Sequence, residues 1–564
     1  MKVQRNIGAV LTVAMLGSIF AGCGSSAGST GSTATQSTST ASATETTEEA
    51  QSAESTVSAE SGNSTTGYKV TGSMTYNMFM RNTYVTWIKD QKWYDEAEKR
   101  TGVKVNYVEG PDEFDDCYAE IDQRVTSHTL EDANMCELSQ AKVYGEQGAF
   151  ANLAPYIEKY APDLQKYIDE HPAYKAYITA DDGGIYGLVK ETPELIDVIG
   201  YRADQFTKAG VDASSIKTVK DFTEALKTLK AYYGKDNPSY YPLSGRDSAL
   251  RFAAWFGASS YVDENGAHGV YYTHEKDGNF DIKSDNAYTM VETMKEWYDD
   301  GLINPQWVAG TFSEGDWEQA MINGDGSVFY DYYARPEWFM DNGGPQADPD
   351  YQMAVLDFLQ DDSGKVMPVT TCPTWQDGCA TAVSSDCSED TIATILGFIN
   401  YFYTDEGLLL ASYGVEGQSF EYDDNGEPQF IDGLYKQEES KPDGEKKWSF
   451  LSDRFTVCKP VDNEAFYKWN SDLESEAMGR LLKDENIQPV ATINYTTDEL
   501  SELTGLVATV YDAEVSGLTA LITGDEELTK DNYKAFVDKM DSLGLSQIEE
   551  IEAKAYQETQ AQAK

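Results

Sequence analysis

The sequence is poor in histidine, and what histidine it has is scattered. Four occur in 564 residues: His128, His171, His268 and His274. None forms a His-Glu-x-x-His pair, which excludes the common zinc-hydrolase helix. Positive charge is also scarce. Forty-three Lys and Arg face 96 Asp and Glu, a formal net charge of −53. A field of that sign repels phosphate backbones and anionic lipid, so nucleic acid is excluded as a partner. It also opposes a polyanionic ligand, unless a local arginine cluster overrides it. The simplest role for the acidity is a well-solvated surface. Gly-rich phosphate loops and Gly-x-Ser-x-Gly elbows are absent, as is any repeat of solenoid or propeller period. Seven cysteines are present, with spacings that match no zinc knuckle or redox pair. Cys117, Cys136, Cys372, Cys379, Cys387 and Cys458 either pair in an unspecified pattern or stay as buried thiols.

Long apolar runs are missing too, apart from one at the N-terminus. Met1-Lys2-Val3-Gln4-Arg5 is basic, and the apolar run Ile7 to Ala21 follows. It is shorter than the roughly 20 residues a bilayer span needs, so it reads as a secretory signal. Phe20-Ala21-Gly22-Cys23 resembles the bacterial lipobox, with Phe20 where Leu is usual. That resemblance implies cleavage over 1–22 and lipidation of Cys23; the alternative is an ordinary signal with an incidental cysteine. Residues 24–67 are nearly all Ser, Thr, Gly, Ala, Glu and Gln. Such a composition cannot offset its ordering entropy. It predicts a disordered tether over 23–66, with a reach of roughly 35–40 Å. No later stretch is expected to be long and apolar enough for a second span.

Globular patterning begins near Tyr68. Met74 to Phe79 reads as a strand, Trp87, Ile88, Trp93, Tyr94 and Ala97 as a helix, and Thr101 to Val108 alternates as a second strand. Helix between strands predicts a βαβ unit. Val219, Phe222, Leu226 and Leu229 recur at helical spacing behind Thr218, with Asp221 completing a capping box. Ile392, Ile395, Leu396, Ile399 and Phe402 define another helix. Further strands are expected over 195–201, 327–333 and 351–358. The alternation of elements predicts α/β architecture.

Five segments, in order, carry a family resemblance: YGEQGAFANL at 144–153 with Ala161-Pro162-Asp163; DGGIYGL at 182–188 with GYRADQFTKAGVD at 200–212; WYDDGLINP at 297–305; YTDEG at 403–407 with YGVEG at 413–417; and LITG at 521–524 with LGL at 543–545. Together they resemble the carbohydrate-type extracellular solute-binding proteins of ABC importers, family 1, in the large branch that includes alginate-type oligosaccharide binders. The resemblance spans about Gly72 to Tyr556. It implies a two-lobed periplasmic-binding-protein-like fold with a hinge and an interlobe cleft. The lobes would be 67–188 with 371–410, and 189–370 with 411–558. The branch often carries a calcium loop after the helix matching Thr218–Leu229. Here YGKDNPSYYPL at 233–243 lacks the alternating acidic ligands that calcium needs, so no metal or other cofactor is expected.

The implied function is non-catalytic capture of an oligosaccharide at the outer face of the cytoplasmic membrane, by a lipid-anchored monomer that delivers it to an ABC permease. Sugars present flat C–H faces to aromatic rings and hydroxyls to charged groups. The expected ligand-binding residues are Arg81 and Trp87 after the first strand, Glu137, Trp255, Trp317, Tyr332, Arg335, Trp338, Trp375 and Glu416. Arg335 has an alternative as a surface ion-pair partner, and Glu416 as a cap on the Gly417 turn. A peptide or other solute is the competing ligand. A surface glycosidase, needing two carboxylates roughly 5–10 Å apart, is the competing activity.

Overall fold

The computed structural model describes residues 71–562, apart from 79–91, 112–113, 193–195, 247–248, 250–254, 257–261, 264–265, 268–280, 365, 367–368, 372–374, 376, 432–433, 435–457, 469, 482–486 and 490–492. The leader, Cys23, the tether, Arg81, Trp87 and Cys372 lie outside the described residues. The first βαβ unit forms as its pattern requires. Strands Gly72–Met78 and Val103–Glu109 pair in parallel along their length, and helix Lys92–Thr101 connects them. Trp93, Tyr94 and Ala97 are the face that this helix buries.

Five strands make the first sheet. Their order is Val103–Glu109, Gly72–Met78, Ala133–Cys136, Ala380–Val383, Gly187–Leu188. Helix Glu389–Tyr401 covers it, with Ile392, Ile395, Leu396 and Ile399 buried in the first core. The 144–153 motif packs here for a steric reason. A Cβ on Gly145 would lie 2.1 Å from Cγ of Tyr186, so only glycine admits that ring.

A second sheet of three antiparallel neighbours has the order Val328–Tyr332, Asp197–Arg202, Met353–Val355. Its core holds Phe222, Leu226 and Leu229 from helix Val219–Tyr233. Thr218 and Asp221 cap that helix reciprocally, as the sequence requires: Asp221 N–H donates to Thr218 Oγ1 at 3.2 Å, and Thr218 N–H donates to the Asp221 carboxylate at 3.0 Å.

Among the described residues, three passages of chain are traced between the two cores. The first runs from Leu188 in one sheet to Asp197 in the other. The second returns from Val355 to Ala380. The third leaves Cys458, whose Sγ bonds the Leu188 carbonyl at 2.8 Å, and reaches Ala477 and Met478 beside Ile196 and Val355. All three meet at Glu191. It bridges to Trp375, donates its N–H to the Lys459 carbonyl at 3.2 Å, and accepts from Val461 N–H at 2.9 Å.

One expectation needs correction. Helix Thr497–Thr523 contains an 18-residue window of mean hydropathy 1.3, long and apolar enough by composition to span a bilayer. Leu503, Val510, Leu518, Leu521 and Ile522 instead bury in the second core, against helices Asp285–Asp299, Lys530–Leu543 and Leu545–Gln562. It is a core helix of a folded lobe.

Candidate functional site

Strand direction locates the site. In the first sheet, Ala133–Cys136 and Gly187–Leu188 both run antiparallel to Ala380–Val383, and Gly72–Met78 runs parallel to Ala133–Cys136. Their C-terminal ends, at Met78, Cys136 and Leu188, therefore share the edge where the chain crosses. In the second sheet Val328–Tyr332 ends opposite Asp197, where the first crossing arrives. Leu243 bridges Val328 in parallel, which carries Arg246 to the same edge. Ligands of open α/β sheets bind outside the C-terminal strand ends, and here two such edges face one crossing. Glu191 and Asp197 are six residues apart, at most about 22 Å along the chain.

The first wall is aromatic. Trp375 packs between Tyr174 at 5.6 Å and Tyr177 at 6.2 Å, the latter nearly parallel at 29°. Its indole N–H donates to Tyr167 Oη at 3.4 Å. Tyr167 and Tyr177 are half-buried, so their rings are partly open to solvent. Burial, followed by the charge of Glu191, raises the Tyr167 phenol well above its ordinary range. It stays a neutral donor. Lys142 reaches the Tyr177 carbonyl at 2.6 Å and Asn494 Oδ1 at 2.5 Å, which fixes this rim to the C-terminal helices.

The second wall is braced by ions. Asp331 is fully buried and accepts from Arg246 Nε at 2.9 Å and Arg335 Nε at 3.1 Å. Arg335 also donates to Glu318 and to Glu314, each at 2.7 Å. The guanidinium of Arg246 lies 4.7 Å from the Tyr332 ring centroid, and that of Arg335 lies 5.2 Å from both Trp317 and Trp338. Burial works against the Arg335 charge, but Asp331 and the two glutamates outweigh it and hold its pKa above the ordinary range. Tyr332 and Trp338 remain half-buried beside this network.

Several expected ligand residues are relocated. Trp317 is 0% exposed and packs edge-on against Phe329 and Phe339. Trp255 is 4% exposed, wedged between Phe222 and Tyr330. Both indoles fill cores and cannot stack on a ligand. Trp375, 8% exposed, backs the aromatic wall rather than fronting it. Arg335 is an ion-pair centre, buried where a surface pair was the alternative. Glu137 lies at the crossing edge but is buried in a capping box with Gln140, whose Oε1 accepts from Glu137 N–H at 3.3 Å. Glu416 is exposed in a turn closed by the backbone bond from Gly417 N–H to the Phe420 carbonyl, at 2.8 Å. The sequence reading missed Tyr167, Tyr177, Arg246 and Glu191.

A surface cavity of about 520 Å³ lies along helix Phe114–Ser127, lined by Pro111, Asp116, Glu120, Gln123, Arg124, Ser127 and Thr129. Arg124 is already paired with Glu120 at 2.6 Å and Glu131 at 3.1 Å, and the lining holds no aromatic ring. Its chemistry does not suit it to the role of the crossing.

Comparison with known proteins agrees with this architecture. Residues 92–413 match the model of a family described as bacterial extracellular solute-binding protein. The chain is 25% identical over 259 residues to the fructooligosaccharide ABC transporter substrate-binding protein FusA of Streptococcus pneumoniae serotype 4, covering 42% of this chain and 45% of that protein. It is 24% identical over 236 residues to an arabinooligosaccharide-binding protein of Bacillus subtilis, with coverage of 42% and 45%. The chain thus spans less than half the length of these relatives. The crystal structure of the alginate-binding protein AlgQ2 without calcium superposes with a TM-score of 0.69 at 17% identity, covering 87% of this chain and 99% of that one. FusA in complex with kestose gives 0.66 at 16% identity, with coverage of 87% and 99%. These likenesses establish a two-lobed α/β fold. With more than half of its length matched by the family model, the chain belongs to the bacterial extracellular solute-binding protein family.

Proposed function

We propose that this protein is the substrate-binding lipoprotein of an ABC importer and takes an oligosaccharide between its two walls. The observation that carries the reading is the meeting of two sheet edges at one crossing, each with half-buried aromatic rings: Tyr167 and Tyr177 on one side, Tyr332 and Trp338 on the other. Rings take the C–H faces of a sugar. Phenol, carboxylate and guanidinium groups take its hydroxyls. The oligosaccharide ligands named for FusA and the arabinooligosaccharide-binding protein support the same class.

The lobes are assigned as 67–188 with 371–410 and 189–370 with 411–558, except that Cys458 packs in the first core. Three passages of chain make a hinge, and ligand-stabilised closure signals occupancy to the permease. Cys23 anchors the protein as a monomer outside the cytoplasmic membrane, and no reaction is catalysed.

A thermal-shift panel of mono- and oligosaccharides and peptides tests this. A ligand at 100 times its dissociation constant stabilises the fold by roughly 2.7 kcal/mol. The expected hits are oligosaccharides recovered intact. Stabilisation by peptides alone, or appearance of shortened sugars at enzymatic rates, would refute the assignment.

A further inference from the structure

Tyr177 stands on a helix too short to place it alone. Pro172–Ile178 has seven residues, and isolated helices below about 12–15 residues are marginal in water. Tyr174 and Ile178 dock one face of it on the first core, where Tyr174 Oη donates to the Val189 carbonyl at 2.7 Å. The last carbonyls of a helix have no partner within it. Here two of them are satisfied from outside. Asn494 Nδ2 donates to the Ala176 carbonyl at 2.9 Å, and Lys142 Nζ donates to the Tyr177 carbonyl at 2.6 Å. Lys142 also donates to Asn494 Oδ1 at 2.5 Å, so both ends of one amide hold the turn that carries the ring.

This cap is anchored on the second core. Asn494 N–H donates at 2.8 Å to Thr559 Oγ1 of helix Leu545–Gln562, which buries Ile548 and Ile551 in that core and packs directly on Pro172–Ile178. Just beyond Asn494, Thr497 opens the long helix Thr497–Thr523. Its N–H donates to Asp181 Oδ2 at 3.0 Å and its hydroxyl to Glu146 Oε2 at 3.3 Å, before the helix enters the second core. The element bearing Tyr177 is therefore set from both cores.

We propose that Asn494 is a positioning residue of the glycan site: it holds the last turn of helix Pro172–Ile178, and through it the Tyr177 ring, where the sugar meets it. The proposal rests on the oligosaccharide reading above and adds a residue that acts through Tyr177 rather than on the ligand. Groups that form a binding site need support that fixes them to within about 0.5 Å. Without the amide, Tyr174 and Ile178 still dock the helix on the first core. Ala176 and Lys142 lose their shared partner, so the ring keeps its anchor and loses its aim.

The experiment is a double-mutant cycle of Asn494→Ala and Tyr177→Ala in the intact secreted chain, read by calorimetric titration with its most stabilising oligosaccharide. Asn494→Ala is expected to weaken binding about fivefold when Tyr177 is present and less than about twofold when Tyr177 is already alanine. Should the alanine variant not fold, Asn494→Asp replaces it in the same cycle, since it keeps the acceptor for Lys142 and removes the donor to Ala176. An equal loss in both backgrounds overturns the proposal, because a general structural role or a direct ligand contact would act without Tyr177. No loss in either background overturns it too. So does a Tyr177→Ala variant that binds the glycan like wild type, an outcome that leaves the oligosaccharide reading standing. Wild type that binds peptides and no glycan refutes that reading itself, and the proposal with it.

Discussion

The two walls of the crossing solve the same problem by different physics. The first-lobe wall is a stack of rings: Trp375 backs Tyr174 and Tyr177 and holds Tyr167 through one hydrogen bond. The second-lobe wall is a frame of buried charges, with Asp331 clamping two arginines beneath Tyr332 and Trp338. Ring stacking is additive and tolerates local loss. A buried ion network does not, because removing one member strands the others in low dielectric. The first wall is therefore suited to affinity and the second to rigidity.

The sharpest way to break the contrast is Asp331→Ala. It leaves Arg246 and Arg335 facing each other with one partner fewer, and should cost about 3–5 kcal/mol in urea unfolding. A loss below about 1 kcal/mol, the level of an exposed pair, would mean that the frame is not a frame.

A second contrast concerns buried carboxyls. Asp331 is held by two arginines, whereas Glu514 and Glu552, on helices Thr497–Thr523 and Leu545–Gln562, each keep one carboxyl oxygen without a hydrogen-bond partner. Burial raises the Glu514 pKa well above its ordinary value, and burial pushes Glu552 up to about 8 from 4.5, against a bond from Tyr495. A raised folded-state pKa means that the native state binds the proton more tightly than the unfolded chain. Stability through Glu552 is thus intact below about pH 4.5 and is lost as pH rises towards about 8. Glu552→Gln should stabilise the protein by about 1–2 kcal/mol at pH 8 and hardly at all at pH 4. Equal effects at both pH values in thermal melts would contradict the sign.

On the ring wall, Tyr177→Ala should weaken the best glycan about tenfold in calorimetry while leaving the urea midpoint close to wild type. A change confined to stability would demote Tyr177 to packing. The smallest effect is expected away from both walls. Thr218→Ala removes a helix cap and should cost about 1 kcal/mol with no change in glycan affinity.

Local patterns carried much of the fold. Period-two alternation marked Val103–Glu109, and the Thr218 and Asp221 pair marked a helix start. These signals sit within a few residues and need no tertiary partner. The site was harder to read. An indole serves a core or a ligand equally well, and Trp255 and Trp317 went to cores because Phe222, Tyr330, Phe329 and Phe339 surround them. Tyr167 and Tyr177 lie on helices Pro162–Glu170 and Pro172–Ile178, where a half-open tyrosine looks like any surface residue until Trp375 arrives, 208 positions beyond Tyr167. Arg246 acquires its role only through the parallel bridge from Leu243 to Val328, a pairing that sequence does not encode locally.

Hydrogen–deuterium exchange with the most stabilising glycan tests the central claim most directly, because it reads both walls in one experiment. The account predicts simultaneous protection of residues 172–178 in one lobe and 331–338 in the other. Saturating glycan that protects only one of these segments, or neither, would contradict a ligand held between the two walls.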